Sequence, residues 1–414
     1  MIRTLALASL LAGCLADEAL EPTGETEQAL NGDSWATVDD NPYTAGVGAL
    51  DNGVAISPLT HKILVAGARY ETGGTSTWIV RGSPDGVSWF LNHSAKLSPT
   101  GNAVAYAVTA DLKGVFYVVG TAVDASGVTH WMVVRSTNDG ATWDTVLNQG
   151  GHVTADVPYG ISVDDQQNVF VTGTVVAGST HTARILRGTG AGSTWSQVLS
   201  YSSVGAENAF YGTCKGTFGT QGATYATGWE TPSSADDGML AMAFYTVDHG
   251  TTWTKTIEYG ALHYTRGYNC AGAPAGRLLE AASTWQITPN VSSNWITTLW
   301  DVAAHAQLSA DAAAGGSAID NASYAVAHVA GPVAREYDAG GIRTSSGVLQ
   351  WRTSFVEDAA LGLSWTLSDL YSYPGSTEQA RASSAAYDPI AGLYVVGVAF
   401  DATNRSHGIV RHRR

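Results

Sequence analysis

Gly86-Val87-Ser88-Trp89, Gly140-Ala141-Thr142-Trp143, Gly192-Ser193-Thr194-Trp195 and Gly250-Thr251-Thr252-Trp253 are four copies of one element, and their spacing decides the fold. Two more copies flank them, Gly32-Asp33-Ser34-Trp35 and Gly362-Leu363-Ser364-Trp365. The six tryptophans stand 54, 54, 52, 58 and 112 residues apart, and the last interval is twice 56, so one copy between Trp253 and Trp365 has decayed. A fixed period of this length marks a repeat architecture. Residues 34–414 hold seven such periods.

The order of signals inside each period repeats as well. An apolar alternating run closes on glycine: Lys62–Gly67, Val115–Gly120, Val169–Gly173, Ala223–Gly228 and Leu393–Gly397. A second run follows, as in Trp78–Arg81, Trp131–Arg135 and Ala183–Arg187, and then the Gly-x-Ser/Thr-Trp element opens a last strand. Period-two alternation of β-branched and aromatic residues, punctuated by glycine turns, predicts four strands per unit. No ten-residue stretch carries helical spacing. The expectation is an all-β fold, a seven-bladed β-propeller of four-stranded blades. The chain stops at Arg414, before a further copy, and the missing piece is Asn31–Trp35 at the other end. The N-terminal strand around Trp35–Val38 should therefore close the last blade and remove its free edge.

Composition narrows function by exclusion. Hydrophobic content of 44% suffices for a large core and excludes intrinsic disorder. A formal charge of −15, with only five lysines, argues against nucleic acid, whose phosphates need a basic surface. No apolar run approaches the ~20 residues of a spanning helix.

The first 33 residues read as an address. Arg3 and the apolar stretch Leu5–Leu11 form an export signal. Leu11-Ala12-Gly13-Cys14 resembles the bacterial lipobox, which implies cleavage before Cys14 and a diacylglycerol on its thiol. Leu15 after the cysteine implies, by the same resemblance, the outer membrane. Asp17, Glu18, Glu21, Glu25 and Glu27 follow with no basic residue, a composition that cannot bury apolar surface and so predicts a tether. The expected organisation is a signal peptide over 1–13, lipidated Cys14 and tether over 14–33, and the propeller over 34–414. Membrane contact is expected through the N-terminal lipid alone, and the body as a monomer. Cys214 and Cys270 hold the same place in successive units; a disulfide and two buried thiols both fit.

Thr246-Val247-Asp248-His249-Gly250-Thr251-Thr252-Trp253 resembles the Asp-box, or bacterial neuraminidase repeat, in full. Ser136–Trp143 matches with Asn138 for Asp, while other copies carry Pro84, Gly190 or Ala360 at that place. Repetition in six of seven units assigns these turns to the scaffold. The resemblance implies a sialidase-like propeller, a fold shared by glycan-active enzymes and by binding or assembly propellers, so function must come from the face opposite the Asp-box turns.

That face is expected to present Tyr106, Tyr159, Tyr211, Arg266 and Tyr268 on loops entering the inner strands, with Arg381 in the last blade. Trp229-Glu230 and Arg335-Glu336-Tyr337 are expected on loops leaving the second strands. Aromatic rings stack on sugar faces, and Arg and carboxylates pair with hydroxyl or acid groups. A tyrosine repeated on every inner strand equally fits a packing position. No sialidase arginine motif, His-Glu-x-x-His, Cys-x-x-Cys, Gly-x-Ser-x-Gly or phosphate loop is present, so no catalytic residue, metal or cofactor is assigned. The reading is a non-catalytic envelope module that binds a glycan or a protein. The alternative is a glycoside hydrolase or polysaccharide lyase using paired carboxylates, of which Glu230 and Glu336 are the candidates.

Overall fold

The computed structural model describes residues 29–30, 33–153, 155–203, 207–232, 238–259, 264–286, 292–314, 321–344, 346–357 and 365–413. The signal peptide and nearly all of the tether, with Cys14, lie outside the described residues. Among those described, the chain is β-strand and turn, with a single 3₁₀ turn at Pro274–Gly276.

Five four-stranded antiparallel sheets follow one another from Ala103 to Tyr371. The remaining strands form a nine-stranded sheet made of two four-stranded groups. One group runs Gly48–Ile56, Ile63–Tyr70, Ser76–Ser83, Phe90–Ala95; the other runs Ala380–Asp388, Gly392–Phe400, Ser406–Arg413, Asp33–Asn41. They meet in one parallel pair, Ser406 with Gly48, and the two-residue strand Ala29–Leu30 lies outside Asp33–Asn41. The first strand of each group packs on the first strand of the next, and Ala380–Asp388 returns to Gly48–Ile56. Sheets standing radially in a closed ring make a β-propeller.

Neighbouring sheets bury their apolar faces against each other. Leu64, Trp78 and Val80 meet Phe116, Val118 and Met132; Trp131 and Val133 meet Ile161, Val169 and Val171. Trp78, Trp131, Trp295 and Trp351, all on third strands, are fully buried. Removing each such side chain from water contributes roughly 2–3 kcal/mol.

The N-terminal strand Asp33–Asn41 pairs antiparallel with Ser406–Arg413, as expected. Charge holds it there. Asp33, 1% exposed, accepts from Arg335 and Arg413, each at 2.9 Å, from Tyr337 at 2.9 Å and from Ser368 at 2.6 Å. Asp39 pairs with Arg81, whose other nitrogen reaches Asp51 at 2.7 Å, and Asp40 meets His407 at 2.6 Å.

The glycines that end the apolar runs do not make turns. Every inner strand carries a β-bulge, and Gly67, Gly120, Gly173, Gly228, Gly340 and Gly397 lie in mid-strand opposite the residue just before it. The bulge drives an inner-strand carbonyl onto the second strand: a Cβ on Gly120 would sit 2.1 Å from the Val104 oxygen, and one on Gly228 1.9 Å from that of Ala209. Only glycine fits.

The turns that carry the Gly-x-Ser/Thr-Trp element cap their own amides. Asp248 accepts from the Thr252 amide at 2.9 Å and from the hydroxyls of Thr246 and Thr252, and Thr246 Oγ1 accepts from the Gly250 amide. In the first group Asp85, one place later than the motif puts it, takes the Val87 and Ser88 amides at 2.9 and 2.7 Å. Pro84 therefore does not mark a lost cap. In the decayed unit the corresponding turn, Val302–His305, survives without its tryptophan.

Candidate functional site

One residue of each inner strand is left unpaired by the bulge: Asn52, Tyr106, Tyr159, Tyr211, Tyr268, Tyr324 and Ser383. An ordinary inner-strand residue packs between sheets; the bulge re-aims this one toward the ring axis. All seven line a central cavity of about 680 Å³ that runs from them along the inner strands to the other end of the ring, where Asp111, Leu112 and Tyr387 line it.

The five tyrosines form an unbroken arc. Ring centroids lie 5.8 Å apart for Tyr106–Tyr159, 4.2 Å for Tyr159–Tyr211, 5.5 Å for Tyr211–Tyr268 and 4.8 Å for Tyr268–Tyr324. Asn52 and Ser383 leave a gap in the collar, and beside it the exposed Arg381 places its guanidinium 5.7 Å over the Tyr324 ring. Tyr70 faces Tyr106 and Arg381 there. Arg266 stands near Tyr159 and Tyr268, with its guanidinium 4.8 Å over Trp229. Burial pushes the Tyr106, Tyr159 and Tyr268 phenols above their ordinary value, and for Tyr159 and Tyr268 neighbouring phenols add to it. Burial thus holds these hydroxyls in the protonated form, which can donate a hydrogen bond.

The structure thus brings together Tyr106, Tyr159, Tyr211, Tyr268 and Arg381, with Arg266 at the edge. Tyr324 and Tyr70 complete the group, and of these Tyr324 was not singled out by sequence. Tyr324 stands before Gly340 as Tyr106 stands before Gly120, and that spacing is the signal that finds it.

The other candidates do not line the cavity: Trp229 and Glu230 end their strand on the collar side, buried, and the rest lie at the opposite end. Arg335, Glu336 and Tyr337 begin a second strand, Arg335–Arg343, in which Arg335 pairs with Val329 at the far end of the inner strand. They lie at the end that carries the Gly-x-Ser/Thr-Trp turns, not on the collar face. The strand was missed because one of its two buried faces carries the polar Glu336 and Asp338 opposite Tyr337 and Ala339, which breaks the apolar run. Arg335 and Tyr337 hold Asp33 of the closing strand. Glu336 is fully buried against His328 at 3.0 Å, with Arg277 at 3.8 Å. Glu230, 3% exposed, accepts from Tyr201 and lies 2.5 Å from Lys255; Trp229 is buried beside it. The two glutamates are at opposite ends of different sheets and make no pair. Among the described residues lining the cavity the carboxylate is Asp111, which caps the Lys113 and Val115 amides at 2.8 Å and takes Gln167 at 3.0 Å.

Cys214 and Cys270 form a disulfide, with Cα atoms 5.7 Å apart, joining adjacent inner strands below the collar. Asp164, Asp165 and His249 gather at the Asp-box end, but Asp164 is already engaged by Gln166, Asn168 and His249.

No protein-family model matches the chain, and no curated protein matches it. Solved structures resemble its fold. An α-L-arabinanase of Penicillium chrysogenum bound to arabinobiose is 13% identical over 91% of this chain and 97% of its own, with a TM-score of 0.49. The GH93 α-L-arabinofuranosidase of Fusarium graminearum with arabinobiose is 13% identical over 74% and 91%, at 0.48. The Hadza microbial sialidase Hz136 is 13% identical over 56% and 49%, at 0.40. At these identities the likeness concerns fold alone.

Proposed function

We propose that this chain is a seven-bladed, exported and lipid-anchored envelope propeller that recognises a glycan through the tyrosine collar. The observation carrying the proposal is the collar itself: five tyrosines at equivalent bulges form an arc around a cavity, with a gap flanked by Arg381. Aromatic faces, protonated phenol donors and a guanidinium suit a sugar ring with its hydroxyl or acid groups. The count of seven rests on five separate sheets plus the two groups of the nine-stranded sheet. Anchoring through Cys14 at the outer membrane rests on the N-terminal sequence, and the collar points to a glycan rather than an envelope protein as ligand. We assign it no cofactor and treat the body as a monomer.

Cleavage of the glycan is the second reading, the kind of activity that the names of the arabinanase, arabinofuranosidase and sialidase give to those proteins. Hydrolysis with acid and base carboxyls needs them roughly 5–9.5 Å apart across the bond. The buried, separated Glu230 and Glu336 and the capped Asp111 favour binding without cleavage. The test is a panel of arabinans, sialylated, uronate-rich and neutral glycans, read by calorimetry and by product mass spectrometry. Binding with no new saccharide is expected. New products that vanish in Glu230→Gln or Glu336→Gln variants would replace this reading with the hydrolase one.

A further inference from the structure

The exposed large apolar side chains are distributed unequally over the two faces. Leu59, Leu112, Val333 and Ile390 are 61%, 64%, 54% and 75% exposed. Each sits on the loop joining the first to the second strand of its group, at the Asp-box end. Val87 and Val247 sit on the strand-three to strand-four turns of the same end, Phe90 and Leu91 on the outer strand Phe90–Ala95, and the opposite face offers Val47 and Val153 among the described residues. The four loops belong to consecutive groups around the ring and interlock. Tyr387 donates to the Ala330 carbonyl at 2.8 Å, His61 meets Asp388 at 2.9 Å, and the Leu59 side chain lies over Gly114, where an added Cβ would be 3.5 Å from it. Single exposed leucines are ordinary; four apolar tips on one interlocked arc are not.

The chain also joins the fold at this end. Ala29 and Leu30 pair with Ser34 and Asp33, where the closing strand begins beside Arg413. That strand lies in the Ile390 group, and Ala29–Leu30 packs on Thr366–Tyr371 of the Val333 group. Twenty-eight residues precede Ala29, with Cys14 at their middle. Any lipid on Cys14 therefore pulls on the end of the molecule that carries the apolar arc.

We propose that the Asp-box face rests on the bilayer, with Leu59, Leu112, Val333 and Ile390 dipping into its interfacial layer and the tyrosine collar facing away. This rests on the lipid-anchored reading above. Tips on a loop-built rim suit a plane rather than a groove, and tethering makes the contact effectively intramolecular. A net charge of −15 gives no general attraction to anionic lipid, so the contact is apolar and resists salt.

The test uses the full-length chain purified from its host membrane and reconstituted in phosphatidylcholine vesicles that contain nitroxide lipids. A fluorophore is placed at Ile390→Cys or, as control, at Val153→Cys. Several-fold stronger quenching at 390 than at 153, unchanged by molar salt and reduced several-fold by Leu59→Ser with Leu112→Ser, is expected. The serine variants should keep the wild-type melting temperature, since both sites are exposed. A chain that sediments with vesicles but shows equal quenching at both sites overturns this inference and leaves the anchor standing. A chain with no acyl group on Cys14 that stays in solution overturns both. Cross-linking of two copies through position 390, without quenching, makes the face a protein interface and overturns the inference alone.

Discussion

Glu280 is a carboxyl group that burial pushes toward its acid form. It is fully buried, neither oxygen finds a partner among the described residues, and desolvation pushes its pKa well above the ordinary value. The folded chain therefore keeps a proton that the unfolded chain releases, and stability falls as pH rises above the ordinary glutamate range toward the folded value. Glu280→Gln removes that dependence. Its melting temperature relative to wild type should climb steadily between pH 5 and pH 8 in scanning calorimetry, and a difference constant across that range would contradict the assignment. Tyr159→Ala and Tyr211→Ala, by contrast, should weaken saccharide binding about tenfold, the order expected when one aromatic contact of about 1.4 kcal/mol is lost. Sequence located four collar tyrosines because the repeat places them alike. It misplaced Arg335, Glu336 and Tyr337 because buried polar pairs leave no hydrophobic signature.

At the scale of the strand, the bulge organises the site. It turns one side chain toward the axis and presses one carbonyl outward; a glycine stands opposite in six groups, and Ala282 takes that place opposite Gly267 in the seventh. Gly228→Ala should cost about 3 kcal/mol in urea unfolding, near the upper end for overpacking, because backbone atoms cannot yield as a flexible side chain does. Gly127→Ala is the control: its φ of +79° strains an alanine, but nothing lies within 4 Å, and the cost should be about 1 kcal/mol. Equal losses would mean that the carbonyl contact is not what selects glycine. Period-two alternation, the repeat and the closing strand were legible without coordinates. The bulges were not, because a single skipped residue leaves the alternation intact on both sides and shifts only the register. That is why glycines expected in turns lie in mid-strand, and why the place of the Asp85 cap, one residue off the motif, needed coordinates.

The whole molecule depends on closing the ring. Asp33 joins the N-terminal strand to two arginines from different groups, and a buried pair loses several kcal/mol when one partner goes. Asp33→Asn should cost about 3 kcal/mol, and removal of the strand from Asp33 to Asn41 should leave no cooperative unfolding transition; a cooperative transition in that deletion would show that the ring closes without it. The Cys214–Cys270 bridge spans 56 residues, and removing both thiols should cost at most about 4 kcal/mol through chain entropy, read in the same urea titration. Of the site, sequence recovered the arc and not its boundaries, since which end of a strand a polar residue occupies is set by register. The claim on which the account turns is that the collar is the ligand site. The direct measurement is a calorimetric titration of the best saccharide from the panel into wild type, Tyr159→Ala, Tyr211→Ala, Glu230→Gln and Glu336→Gln. The account predicts about tenfold weaker binding in each tyrosine variant and unchanged affinity in both glutamine variants. Wild-type affinity in the tyrosine variants would contradict it.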